Sequence, residues 1–243
     1  MSKIVIGSIV RNRESILPKY LECIRDLDYN KSDISLCFLV NDSTDNSYFI
    51  LKDFVDGHTE YKNSIVKIGS YGYPEDNRDV GRGYDTFKQF AFLRNKWLDL
   101  IVDKFYNSEY VFSIDSDILV PSNSLNKLIE NDKDMCSMLV NNSVNQQGYG
   151  KDYMNILKFE MDSSSKYKHI MEYPKDKVFK VDVTGACCLI KRKVLDTSRY
   201  RSHALGEDVG FCEEVKRNGY TIWCDSTLTG DHRMTLGGIE AVN

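Results

Sequence analysis

Two carboxylates, Asp115 and Asp117, stand one residue apart where the apolar run Tyr110 to Ile114 gives out. Such a pair at the end of a hydrophobic strand is costly unless a cation or hydrogen-bond donors neutralise it. In an extended segment their side chains share a face and Ser116 points the other way, so both can converge on one divalent ion, or on that ion and a ribose hydroxyl. Taken alone, Asp-x-Asp is more often a solvated turn. A second acidic pair, Glu207-Asp208, follows Gly206 and opens a run in which Phe211, Cys212 and Val215 form an apolar side. A carboxylate there can cap a helix or act as a general base. Arg94 can grip phosphate oxygens through two parallel donors or face solvent, and Arg78 and Arg82 in the preceding loop are rival phosphate contacts. His232, in a polar loop after Tyr220 to Cys224, is either a metal ligand or structural.

The elements that must hold these residues are legible as alternation. Residues 3–10 are β-branched and apolar, and Ile16, Leu17, Leu21 and Ile24 after them share one helical face. The pattern repeats with a strand at Ile34 to Val40, a turn-rich loop at Asn41 to Ser47 and a helix at Tyr48 to Val55. A third strand follows at Ser64–Gly69. Gly69 to Asp85 reads as a loop. Phe87, Phe90, Leu93, Trp97, Leu98, Ile101 and Val102 then mark a long amphipathic helix. Tyr110 to Ile114 is a buried strand, Pro121 and Ser122 open a helix that runs to about Glu130, and Met135 to Val140 is another strand. Strands around Val178–Val183 and Ala186–Ile190, a helix from about Asp208 to Arg217 and a strand at Tyr220–Cys224 complete the pattern. Parallel strands with crossover helices follow, with ligands at the carboxyl ends of the strands. Between Asn141 and Lys177 the periodicity fails, and the segment reads as an irregular insertion, a lid or an acceptor-binding element.

The 243 residues suit a single domain. A formal net charge of −4, with no basic stripe interleaved with aromatics, disfavours nucleic acid as a partner. Seven cysteines, several inside apolar runs and none in a CxxC pair, read as reduced core thiols. No run approaches membrane-spanning length, and Met1 to Ile6 enters an apolar strand without a basic leader, so a cytoplasmic location is expected.

In this order the elements resemble the nucleotide-binding half of GT-A glycosyltransferases, especially glycosyltransferase family 2. Val5 to Asn12 looks like that family's first strand and loop, where backbone and side chains receive the base, and this implies contacts from Ile9 and Arg11. Leu39-Val40-Asn41-Asp42-Ser43-Thr44-Asp45 looks like its Val-Asp-Asp-Gly-Ser-Thr-Asp element, with Asn41 in place of one Asp and no glycine. The resemblance carries a uracil-binding role onto Asp42. Ala91 to Asn95 resembles a helix whose arginine, here Arg94, approaches the diphosphate. Asp115-Ser116-Asp117 corresponds to the metal and donor motif, and His232 to a histidine that ligates the metal in many GT-A enzymes. Val183 to Ile190 resembles the strand and glycine turn before the acceptor region. Gly206-Glu207-Asp208 looks like the Glu-Asp motif whose Asp is the general base, with Glu207 the fallback.

The resemblance implies a GT-A, Rossmann-like fold, a mixed and mostly parallel sheet flanked by helices, with a nucleotide-binding half at 1–120 and an acceptor-binding, catalytic half at 121–243. It implies transfer of a sugar from a nucleoside diphosphate sugar, chiefly a UDP-sugar, with Mn²⁺ or Mg²⁺ stabilising the departing diphosphate. Inversion follows if Asp208 activates the acceptor hydroxyl from the opposite face; a retaining enzyme would carry the same acidic residues. The acceptor is open among glycan, peptide and lipid-linked hydroxyls, and Tyr149, Tyr153 and Tyr167 could stack on sugar rings. A nucleotidyltransferase is disfavoured by the lack of a glycine-rich phosphate loop after the first strand. A non-catalytic sugar-nucleotide or glycan-binding module is the competing class.

Overall fold

The computed structural model describes residues 3–72, 84–142, 153–161 and 166–233, with the backbone of 235–236 and 239–240. Arg78, Arg82 and Tyr149 lie outside the described residues. In chain order the elements are β1 (Ile4–Val10), α1 (Leu17–Arg25), β2 (Ile34–Asn41), α2 (Ser47–Gly57), β3 (Asn63–Gly69), α3 (Tyr84–Lys104), β4 (Tyr110–Ile114), β5 (Ile118–Leu119), α4 (Ser124–Glu130) and β6 (Met135–Val140). Then come β7 (Ile156–Phe159), β8 (Tyr167–His169), β9 (Val178–Lys180), β10 (Val183–Thr184), β11 (Cys187–Lys191), α5 (Arg192–Thr197), α6 (Glu207–Arg217), β12 (Ile222–His232), β13 (Thr235–Leu236) and β14 (Ile239–Glu240).

The main sheet runs β3-β2-β1-β4-β11-β6-β12-β5, with β9 also paired to β12. Pairings among β1 to β4 are parallel, and so is β6 with β12. The strand β11 lies antiparallel between β4 and β6. Every residue of β2 is buried, as a parallel strand covered on both faces must be. Its side chains alternate between two cores: Leu36 and Phe38 join Ile4, Ile6, Tyr20 and Leu51 on the α1 and α2 side, while Cys37 and Leu39 join Val5, Trp97 and Ile101 on the α3 side. Trp97 donates its indole N–H to the Cys37 carbonyl at 2.8 Å. A Cβ on Gly7, directly beside this carbonyl, would lie 1.8 Å from its oxygen, so β1 and β2 can pair here only through a glycine.

The segment read as irregular, 141–177, contains β7 and β8, which with β10 form a separate three-stranded sheet. Strands of four and three residues, ILKF and YKH, are too short and too polar for period-two alternation to stand out. The strand expected at Tyr220–Cys224 is β12, which runs on to His232 across an irregularity between Asp225 and Thr229, and its far end pairs with β5. Among the described residues no helix is long and apolar enough to cross a membrane. All seven cysteines are free, and six are buried. Burial pushes the Cys37, Cys212 and Cys224 thiols up to about 12, which suits core residues rather than nucleophiles.

Candidate active site

The site gathers at the carboxyl ends of β1, β2 and β4. After β1, Asn12 turns the chain through a left-handed φ of 48° and meets the loop after β2. Its side-chain carbonyl accepts from Thr44 N at 2.9 Å, and its own N–H donates to Ser43 Oγ. Glu14 and Asp45 exchange similar bonds: Glu14 N donates to Asp45 Oδ2 at 3.0 Å, and Asn46 N donates to Glu14 Oε2 at 2.9 Å. The Asn46 N–H, and that of Ser47, which donates to Asp45 Oδ1 at 3.0 Å, lie at the start of α2, where no intrahelical carbonyl can reach them. Next to this floor, Asp42 adopts φ 46°, and its carboxylate accepts from Ser70 Oγ at 2.8 Å and from Tyr71 N at 3.0 Å. A carboxylate has about four acceptor positions, so Asp42 retains capacity for a further donor such as a base N–H. Ile9 is half-buried against the α3-side core, and Arg11 half-buried at the strand end.

Asp115, Ser116 and Asp117 form a turn rather than an extended segment, held by bonds from Asp115 N to Ala186 O at 2.7 Å and from Ile118 N to Asp115 O at 2.9 Å. The turn replaces the extended geometry expected from the sequence, and the two carboxylates take different partners. Asp115 meets Arg94, whose Nη1 and Nη2 donate to its two oxygens at 3.1 and 3.3 Å. Asp117 instead meets Arg13, with Nη2 donating to Oδ2 at 3.1 Å. Ser116 is buried. Burial pushes the Asp115 carboxyl above its ordinary range; the Arg94 fork pulls it down, and repulsion from Asp117 and Glu207 adds to the rise.

Arg94 joins the two acidic motifs. It is buried, its Nε donates to Glu207 Oε1 at 3.1 Å, and Asp208 Oδ1 lies 4.0 Å from the same nitrogen. Burial opposes its charge, and Asp115, Asp208 and Glu207 outweigh that effect. The guanidinium also lies 5.4 Å from the centroid of the Tyr200 ring, which stacks on Phe211. Asn95 clamps Tyr200 from α3, accepting from its N–H and donating to its carbonyl, each at 2.9 Å. Glu207 and Asp208 occupy the first turn of α6, where unpaired backbone N–H groups favour negative charge. Glu207 is spent on Arg94, whereas the Asp208 side chain is 33% exposed beside a small cavity lined by Arg94, Thr184, Gly185 and Tyr200. A Cβ on Gly185 would lie 2.1 Å from Asp208 Oδ2, so this carboxylate rests directly on the glycine backbone.

At the other end, the β5 and β12 ladder pairs Ile118 with His232 and so brings the imidazole to Asp117. His232 Nδ1 lies 3.1 Å from the Asn141 carbonyl, which can only accept, so Nδ1 carries the proton. Its Nε2 faces Asp117 Oδ1 at 3.9 Å. Among the described residues no three His, Cys, Asp or Glu side chains come together as a metal cluster. Of the three residues read as metal ligands, Asp117 and His232 face each other while Asp115 is paired with Arg94, and these donors fit a divalent cation that completes its shell with phosphate oxygens and water.

A sequence model described as glycosyltransferase family 25, N-terminal domain, matches residues 1–212. The chain belongs to this family. A glycosyltransferase 25 family member of Aedes aegypti is 25% identical over 205 residues, 79% of this chain and 32% of the relative. One of Anopheles gambiae is 24% identical over 200 residues, 80% of this chain and 33% of the relative. The chain thus spans about a third of the length of these relatives. Solved structures place the family 25 domain in the GT-A fold. GalNAc-T7 with UDP, GalNAc and Mn²⁺ superposes with a TM-score of 0.63 at 14% identity, over 100% of this chain and 46% of that one. The mannosyltransferase PcManGT from Pyrobaculum calidifontis, with GDP-Man and Mn²⁺, gives 0.61 at 11% identity over 97% and 58%. S. aureus TarS 1-349 with UDP gives 0.56 at 15% identity over 95% and 61%.

Within this family 25 domain, the structure draws Arg94, Asp115, Glu207 and Asp208 into one ionic group and sets Asp117 with His232 beside it. Three contributors escaped the sequence reading. Arg13 was one polar residue among several after β1, and only the fold shows it reaching Asp117, 104 positions away. Tyr200 lies outside any periodic run. Asn155 is buried in the segment read as an insertion, where it accepts from Val140 N and donates to Met138 O and Gly185 O, fixing the turn on which Asp208 rests.

Proposed function

We propose that this domain transfers a sugar from a nucleoside diphosphate, chiefly UDP, to an acceptor hydroxyl, with inversion at the anomeric carbon and Asp208 as general base. The observation that carries the reading is the Arg94 bridge, which ties Asp115 at the strand end to Glu207 and Asp208 at the helix start. A donor held at the strand ends would therefore lie next to a solvent-reaching carboxylate. The nucleotide-bound states of GalNAc-T7, TarS and PcManGT support a nucleotide-sugar donor.

Each chain residue has a task in this reading. Asp42 and the Asn12 floor receive the base, and Asp117 and His232 hold the cation, Mn²⁺ or Mg²⁺. When bound, that ion supplies positive charge to the departing diphosphate. Arg94 holds Glu207 in place through its Nε, and the same nitrogen stands 4.0 Å from Asp208 Oδ1, which orients the carboxylate that would serve as base. Asp208 takes the acceptor proton as the hydroxyl attacks. The acceptor is a glycan, peptide or lipid-linked hydroxyl; Tyr153 in the insertion is a candidate sugar platform, whereas Tyr167 is buried in the core with its hydroxyl on Glu213 and offers no open ring face.

The test is turnover of UDP-sugars with Mn²⁺ by wild type and Asp208→Asn. Loss of a positioned base is expected to slow transfer by roughly 10² to 10⁴-fold while leaving UDP affinity intact. A variant as active as wild type removes Asp208 from this role, and a wild type that binds UDP yet turns over no donor points to a binding module instead.

A further inference from the structure

We infer that Arg13 is the counter-ion of Asp117 when the nucleotide site is empty and a diphosphate ligand when it is filled, so that a divalent cation and this guanidinium compete until a nucleoside diphosphate accommodates both. The inference rests on the donor reading above and concerns a residue outside the acidic motifs.

Asp117 has two faces. Its Oδ1 looks toward His232 Nε2 at 3.9 Å, and its Oδ2 carries Arg13 Nη2 at 3.1 Å. A divalent ion held between Asp117 and His232 would therefore arrive beside a fixed positive charge, and like charges that close repel strongly. The two arginines of the site differ in how fully they are used. Arg94 spends its fork on both oxygens of Asp115 and its Nε on Glu207. Arg13 makes one ion pair and a 3.4 Å contact from Nη1 to Asn12 O, while its buried Nε has no hydrogen-bond partner among the described residues.

A buried donor without an acceptor is an unfavourable arrangement that an incoming oxygen would relieve. The Arg13 side chain is 28% exposed, so it can turn without disturbing the core, and its backbone is fixed to the nucleotide floor through Ser47 Oγ at 2.7 Å. Diphosphate oxygens suit both positive groups, since they accept the parallel donors of a guanidinium and also complete a cation's shell. Without them the two positive groups oppose each other on Asp117. With them the opposition is relieved, and cation and nucleotide each strengthen the other's binding by the same factor.

The experiment is titration of Mn²⁺, with free ion read by electron paramagnetic resonance, into wild type, Arg13→Gln and Arg13→Lys, each with and without UDP. Wild type is expected to bind Mn²⁺ weakly alone and more tightly with UDP. Arg13→Gln should bind Mn²⁺ alone about fivefold or more tighter than wild type and gain less from UDP. Arg13→Lys retains the charge and should stay near wild type. The inference is overturned if Arg13→Gln binds Mn²⁺ alone no tighter than wild type, or if Arg13→Lys binds it as tightly as Arg13→Gln. A wild type that takes no Mn²⁺ even with UDP removes the cation from the proposed function and this inference with it. Binding by wild type that both variants reproduce unchanged removes the inference alone.

Discussion

Arg94 is buried between three carboxylates, and its removal would leave Asp115 and Glu207 without their partner. Losing one member of a buried ionic group costs about 3 to 5 kcal/mol, more than most single substitutions. Arg94→Met is therefore expected to lower the unfolding free energy by roughly 3 kcal/mol near neutral pH, measured by urea denaturation. The pH dependence has a definite sign. The Asp115 carboxyl already lies above its unfolded range, and without the arginine it would lie higher. A carboxyl raised on folding contributes stability below its unfolded pKa and loses it as pH rises through its folded pKa. The deficit of Arg94→Met should thus be smallest in acid and grow toward neutrality. A deficit that shrinks as pH rises would mean that Arg94 is not what holds these charges.

The strands and helices that set the site were largely legible because their apolar positions recur with clear periods. Leu36 to Val40 and Phe87 to Val102 could be read without the fold, and the Asp-x-Asp pair fell at the end of β4 and the Glu-Asp pair at the start of α6. What the sequence hid was pairing across distance. Nothing local says that Asp117 faces Arg13 while Asp115 faces Arg94, because a turn at Ser116 decides it. Asn155 was hidden for a similar reason, since a polar residue in an aperiodic stretch looks solvated until β6 and the turn after β10 close around it. Its amide joins Val140, Met138, Thr184 and Gly185, so it ties three elements together. Asn155→Ala would strand those backbone groups, at about 1 to 3 kcal/mol for a buried group left unpaired. The expected result is a fall in chemical-denaturation midpoint with little change in UDP affinity, because the amide bonds β6, β10 and the turn after it and not the loops after β1 and β2. A variant as stable as wild type would mean that water replaces the amide.

At the scale of the whole molecule, α3 joins the ends of β1, β2 and β4 to α6 and the turn after β10 through Arg94, and the proposed function puts the donor on the first side and the acceptor on the second. A ligand of the native site should stabilise the entire domain. At about a hundred times its dissociation constant, UDP with Mn²⁺ is expected to add roughly 2.7 kcal/mol. For a chain of this size that corresponds to a rise in melting temperature of about 5 to 10 °C, read by differential scanning fluorimetry. Chelation of Mn²⁺ should remove much of the rise, and equal shifts with and without chelator would show that UDP alone occupies the site.

The cross-tied loops after β1 and β2 have one more effect. Because Asn12, Glu14 and Asp45 knit the segments after β1 and β2 to each other before any ligand arrives, the loss of backbone freedom there belongs to folding and not to association. Any ligand seated on these loops meets a socket that is already set.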